Sequence, residues 1–245
     1  YLSEIDREAA RGKDDLEGSW LITAIQFKCD GIVKYLIDHG ADVNLKDRYG
    51  YTPISTALQS DNVGALDYLM KHGANIDYTG IFFNYIATHS KHFADIARCL
   101  TQHDVNLNLV DSSGDTLLSG AVCLGDIDLI NYLIEHGADV NWISKGKRQR
   151  GVNLICIALN NENLEILRCL IEHKAPLINN SLLTAIEEEK FDAAKLICNY
   201  VNGYEKDKAL LLVKEKENEG MVQYLIEHGS YDFTGINFEQ ALKKG

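Results

Sequence analysis

Long apolar runs, a basic excess, proline and paired cysteines are all scarce or missing in this 245-residue chain. Apolar runs such as Ala209–Val213 fall far short of the roughly 20 residues a membrane-spanning helix needs. No signal-peptide pattern opens the chain. Lys and Arg number 24 against 36 Asp and Glu, a formal net charge of -12. That balance argues against generic binding to nucleic acid or to an anionic membrane, which needs basic surface. Proline occurs 2 times and glycine 19 times, which suits helices punctuated by glycine caps. The remainder is ordinary: 46% hydrophobic and 24% charged residues exclude global disorder. Length alone allows one or two domains. The first residue is Tyr1 rather than Met, so a processed or trimmed piece is expected.

None of the six cysteines (Cys29, Cys99, Cys123, Cys156, Cys169 and Cys198) forms a C-x-x-C pair or has zinc-finger spacing to a partner. Most sit in apolar helical patterns, such as Leu167-Arg168-Cys169-Leu170, and read as small buried thiols. Free buried thiols fit a reducing compartment, so the expected location is intracellular and cytoplasmic.

The informative feature is self-similarity. Tyr35-Leu36-Ile37-Asp38-His39-Gly40-Ala41-Asp42-Val43-Asn44 returns at Tyr68–Asp77 and at Tyr132–Asn141, with weaker copies at Cys99–Asn106, Cys169–Ala175 and Tyr224–Gly229. A second anchor precedes each His by fifteen or sixteen positions: Ala24, Ala57, Ala87, Ala121, Ala158 and Val213. Ala185 fits the same grid and Ala241 continues it, with steps of 33, 30, 34, 37, 27, 28 and 28 residues. Each unit reads as a short apolar helix around the anchor, a polar turn, and a second helix such as the one carrying Ile127, Ile130, Leu133 and Ile134. The Gly after the His suits a left-handed C-cap. One such unit cannot bury its apolar face alone, whereas a stack can.

With these residues in register the chain resembles the ankyrin-repeat family. Gly50-Tyr51-Thr52-Pro53-Ile54-Ser55-Thr56-Ala57 is close to the family's turn and first helix. Asp111-Ser112-Ser113-Gly114-Asp115-Thr116-Leu117-Leu118 is a second match, and the Gly-Ala-Asp-Val-Asn closings at 40–44 and 137–141 match the hairpin start. The resemblance covers about residues 14–245. It implies an all-α, α-dominated solenoid of about seven helix pairs with β-hairpin-like loops, truncated at its C-terminal end. Residues 1–13 read as a capping helix or half repeat, 14–177 as repeats with recognisable hairpins, and 178–245 as degenerate short repeats ending in a partial one. The late steps of 27 and 28 are short enough to shrink or remove the hairpin. The step of 37 carries an insertion at 144–151. The natural protein is expected to continue beyond Gly245.

Chemistry is sparse. His39, His72, His103, His136, His173 and His228 share one slot in successive units. Stacked units hold them roughly 10 Å apart, too far to share a metal whose ligand bonds are about 2 Å. A His at a helix C-terminus is favoured by the dipole and the free carbonyls. His89 and His92 offer at most half a metal site. No nucleophile elbow or phosphate loop is present, and Lys145-Gly146-Lys147 lacks the flanking residues of one. The expectation is no enzyme activity, no metal and no cofactor.

The family's partners dock on hairpin tips and first helices. Mapped here, that face gives Gln26 and Phe27, then Arg48, Tyr49, Tyr51, Gln59 and Ser60, then Phe82 and His89. Tyr and Arg are enriched at binding hot spots, although Tyr51 could equally pack on a neighbouring hairpin. A second candidate is the basic loop of Lys145, Lys147, Arg148 and Arg150, with Trp142 at its base. In the late units the mapped positions are acidic: Glu187, Glu188 and Glu215. The expected function is a scaffold binding a partner protein or peptide, as a monomeric fragment of a longer chain, without nucleic acid or membrane. The alternative is a substrate-recruiting or targeting arm of a larger enzyme or effector whose catalytic domain lies outside this fragment.

Overall fold

A computed structural model describes residues 19–47, 49–76, 83, 87, 89–145, 151–178 and 180–228. These fall into two compact units. One runs to Asp139 and includes the described part of Ser144–Gly151; the other takes Val140–Ile143 and continues from Val152. The described elements are helices, and among the described residues the one isolated β-bridge is antiparallel, between Ile143 and Asn153.

In the first unit the helices are α1 (Ser19–Gln26), α2 (Asp30–Asp38), α3 (Pro53–Gln59), α4 (Val63–Lys71), α5 (Phe93–Gln102), α6 (Leu117–Leu124) and α7 (Ile127–Glu135). Phe83, Ala87 and His89 are also helical and precede α5. In the second unit they are α8 (Leu154–Asn160), α9 (Leu164–Glu172), α10 (Ser181–Glu187), α11 (Phe191–Cys198), α12 (Gly203–Glu215) and α13 (Glu219–His228). Successive helices pair, and like helices of neighbouring pairs stack: α1 on α3, α2 on α4, α8 on α10, α9 on α11 and α10 on α12.

Local chemistry sets these boundaries. Thr52 and Thr116 each close a capping box, with Ser55 and Ser119 respectively. Asn62, Asp126 and Asn163 cap the second helices α4, α7 and α9 through side-chain oxygens. Asn62 is buried and does more, because its Nδ2 also donates to the Ile25 carbonyl and the Asp30 carboxylate, both at 3.2 Å. One side chain thus starts a helix and ties it to the preceding pair.

The repeat register holds. Ala24, Ala57, Ala87, Ala121, Ala158, Ala185 and Val213 are all buried, each in a first helix. Around them lie Ile25, Ile54, Leu66, Phe83, Phe93, Leu100 and Leu118 in the first unit, and Ile155, Leu170, Ile186 and Ile197 in the second. Each such Leu or Ile contributes roughly 1.5–3 kcal/mol, so stability is spread along each stack. The connections shorten as the residue steps foretell. Residues 39–52 link α2 to α3, whereas 173–180 link α9 to α10 and 199–202 link α11 to α12. Where the hairpin is gone, the first helix lengthens: α12 has 13 residues against 7 in α3.

Candidate interaction surface

The loop before α3 ends in a fixed tip. The Asp47 carboxylate accepts from the backbone N–H of both Tyr49 and Tyr51 at 2.8 Å, and the Asp47 N–H donates to the Tyr51 carbonyl at 2.9 Å. Gly50 completes the turn at φ 85°, a conformation a side chain would strain. Asp111 builds the same tip before α6, accepting from Ser113 at 2.7 Å and Asp115 at 3.0 Å. Tyr49 is 69% exposed at its tip, while Tyr51 is half-buried.

A second group of mapped residues gathers at the other end of α3, about 10 Å along its axis at 1.5 Å per residue. Phe27 is 72% exposed beyond the end of α1 and follows exposed Gln26. Lys28 donates to the Asp61 carbonyl at 2.9 Å, and the Ser90 hydroxyl donates to the Asp61 carboxylate. The Ser60 hydroxyl bonds Thr56 O at 2.6 Å and approaches Ile25 O at 3.5 Å. This ladder sets Phe27, exposed Gln59, half-buried Ser60 and exposed His89 along one ledge.

The remaining mapped residues fare differently. Arg48, Phe82, Lys147, Arg148 and Arg150 lie outside the described residues. Lys145 is exposed, next to Ser144, whose carbonyl accepts from Gly151 at 3.0 Å and closes the inserted loop. Trp142 is corrected: it is 7% exposed, so it packs inside the fold and is not an open contact. Its bulk and apolar body favour burial. Glu187, Glu188 and Glu215 are exposed. Lysines offset part of that acid, because Lys190 reaches Glu188 at 2.7 Å and Lys216 reaches Glu189 at 3.6 Å.

The repeated histidines show why a His recurs in that slot. His39, His72, His136 and His228 each donate Nδ1–H to the carbonyl of the Tyr four positions earlier, at 2.7, 2.8, 2.7 and 3.0 Å. Each ring also lies over that Tyr ring, with centroids 4.0–4.3 Å apart. A free C-terminal carbonyl is thereby satisfied.

His103 departs from this pattern. The slot four positions before it holds Cys99, and its Nε2 lies 3.0 Å from Asp67 Oδ1 on α4. Ligand atoms of Asp67, Cys99 and His103 all lie within 4.8 Å of one another, the one such group of three among the described residues. The Lys71 ammonium, 2.6 Å from Asp67 Oδ2, and then His103 hold the Asp67 carboxyl below its usual range. Burial pushes the Cys99 thiol up to about 11. Sequence reasoning missed the group because Asp67 sits on a different helix, one helix pair away. The one sequence signal, the loss of Tyr from the slot at Cys99, is shared by Cys169 ahead of His173.

In the second unit an open pocket of about 290 Å³ lies between the α8–α9 and α10–α11 turns, with Leu159, Leu164, Leu167 and Phe191 in its lining. Lys190 crosses it to bond the Leu159 carbonyl at 2.8 Å.

A model described as ankyrin repeats in 3 copies matches residues 4–80, and a single ankyrin-repeat model matches 113–145. FPV031 of Fowlpox virus (strain NVSL), named as an ankyrin repeat protein, is 26% identical over 164 residues, covering 63% of this chain and 47% of its own length. Ankyrin repeat domain-containing protein OPG023 of Cowpox virus (strain Brighton Red) is 28% identical over 169 residues, covering 60% of this chain and 25% of its own length. Ankyrin repeat protein 14 of Vaccinia virus (strain Western Reserve) is 38% identical over 73 residues, 29% of each chain. The chain thus spans between a quarter and about half of the length of these relatives. The matched segments take in the helix pairs α1–α2, α3–α4 and α6–α7, and over them the chain is similar to the ankyrin-repeat family.

Proposed function

We propose that this chain is a protein-interaction module without catalysis of its own, gripping a partner protein at the tip around Tyr49 and along the adjoining first helices. One observation carries this reading: an exposed aromatic side chain stands on a turn that Asp47 already holds in place. A preordered tyrosine loses little conformational freedom when it binds, and aromatic anchors dominate interface energetics. Arg48, the preceding residue in sequence, offers a planar guanidinium suited to bidentate bonds. Phe27, Gln59, Ser60 and His89 extend the surface along the ledge. The basic loop from Lys145 to Arg150 serves as a steering element for an acidic partner, because exposed charge accelerates encounter more than it anchors. The reducing compartment inferred from the buried thiols is where such a module would work.

The test is cross-linked capture with the whole chain, alongside a Tyr49→Ala/Tyr51→Ala double variant of unchanged helical content. A protein captured in stoichiometric amount by the native chain and lost from the variant supports the reading. Equal capture by both moves the surface elsewhere.

A recruiting arm within a longer effector is favoured by a separate fact, namely that the matched relatives extend well beyond the shared segment. A catalytic signature in the reading frame beyond either end would select that version.

A further inference from the structure

Cys99 lies on α5 and His103 caps it, four positions apart, so both side chains leave the helix on the same face. Asp67 meets them from the packed neighbour α4. We propose that Asp67, Cys99 and His103 form a binding site for one thiophilic divalent cation of the zinc type, with water completing the coordination.

The geometry is close to what such an ion needs. Ligand bonds of about 2.0–2.3 Å in a tetrahedron place the donors roughly 3–4 Å apart. His103 Nε2 and Asp67 Oδ1 are already 3.0 Å apart, and the three donors lie within 4.8 Å. A side-chain shift of about an ångström closes the set. The donors also divide by depth. Cys99 is buried, the His103 side chain is 19% exposed and that of Asp67 is 39% exposed. The sulfur forms the floor and the remaining position faces water, the open arrangement of three protein ligands.

Cys169 and His173 repeat the Cys-to-His spacing, but only at Cys99 and His103 does a carboxylate complete a group of three among the described residues. Where Tyr35, Tyr68, Tyr132 and Tyr224 stack on their own His, that His is committed to a carbonyl. Replacing Tyr by Cys99 removes the stack, adds a soft donor, and leaves the imidazole turned toward a carboxylate on the adjacent helix. On binding, the Cys99 thiol releases its proton to solvent and ligates as thiolate, while His103 ligates as neutral imidazole. Asp67 offers Oδ1, and Lys71 stays on Oδ2 as the outer partner that orients the carboxylate. The bound ion clamps α4 to α5 across two neighbouring helix pairs.

Titration of the metal-free whole chain with Co²⁺ tests this. The expected result is a saturable thiolate-to-cobalt charge-transfer band at one ion per chain, bleached by Zn²⁺. Cys99→Ser abolishes the band, His103→Gln and Asp67→Asn weaken Co²⁺ affinity about tenfold or more, and Cys169→Ser changes nothing. Zn²⁺ raises the Tm of the native chain by more than that of His103→Gln, a variant that keeps the buried sulfur and so guards against a folding failure in Cys99→Ser. No saturable band on the native chain overturns the proposal. A band that survives Cys99→Ser, or that vanishes with Cys169→Ser, also overturns it.

Discussion

Asn108 reaches across one repeat to Gly137: its Nδ2 donates to the Gly137 carbonyl at 3.2 Å while its Oδ1 accepts from the Asp139 N–H at 2.8 Å. Asn44 makes the same pair of bonds to Gly73 at 3.4 Å and Asn75 at 2.6 Å. In each case a loop before a helix pair is pinned to the loop after it, so the tip geometry at Tyr49 and at Ser113 depends on the next repeat being folded.

Asn108→Ala is expected to cost about 1–2 kcal/mol, toward the lower end because the side chain is exposed and water replaces part of the loss. Asn44→Ala should cost about the same. Urea unfolding monitored by circular dichroism measures both. The proteolytic sensitivity of the tip should rise even where the global change is small.

Gly120 on α6 lies against Phe93 on α5, and a Cβ added there would sit 2.7 Å from Phe93 Cζ and 3.4 Å from the Phe83 carbonyl. Gly120→Ala should therefore destabilise by about 1–3 kcal/mol through overpacking. Adding Phe93→Leu should recover part of that loss. A double-mutant cycle in denaturant would show the coupling directly.

Lys174 occupies the slot held by Gly40, Gly73 and Gly137 after the second helix, and it does so at φ 63°. A left-handed conformation costs an ordinary residue about 1–2 kcal/mol, part of which glycine returns through its freer unfolded chain. Lys174→Gly is expected to raise stability by up to about 1 kcal/mol, read from the urea midpoint at unchanged m-value. Loss of stability would mean that Lys174 makes a compensating contact.

Burial, and then the Asp115 charge, push the Cys123 thiol up to about 11. The folded value lies above the unfolded one, so this contribution is fully present below about pH 8.5. It is lost as pH rises from there through the folded value, because the unfolded thiol ionises first. The alkaline limb of a stability–pH curve should flatten in Cys123→Ala. At neutral pH exposed Cys29 should react with a thiol reagent first, ahead of buried Cys99, Cys169 and Cys198.

Helix pairing was legible because its signals are local and periodic. The alanine anchors, the His-Gly endings and the capping residues each report on one turn of chain, and all point to the same register. Register within a loop was less legible. Val105-Asn106 looks like Val43-Asn44, yet Val105 N bonds Leu100 O as Ala41 N bonds Leu36 O. Asn108 therefore fills the Asn44 slot, and Asn106 takes that of Asp42, each accepting from the N–H two residues on. The hairpins of the family pattern are here closed turns held by a carboxylate, which no alternation of apolar residues announces. Trp142 read as a surface aromatic because a basic loop follows it, whereas its burial is decided by the packing around it. The contact of Asp67 with His103 depends on stacking between pairs, beyond the reach of any sequence window.

The most direct test of the interaction reading is the Kd of a captured partner for the native chain, for Tyr49→Ala/Tyr51→Ala, and for Lys147→Glu/Arg148→Glu, each at low and high salt. The expected result is a loss of about 1–4 kcal/mol for the tyrosine pair, roughly five- to a thousandfold, at both salt concentrations. The loop reversal should slow association mainly at low salt. Undiminished binding by the tyrosine variant, with binding abolished by the loop reversal at every salt concentration, would contradict the reading.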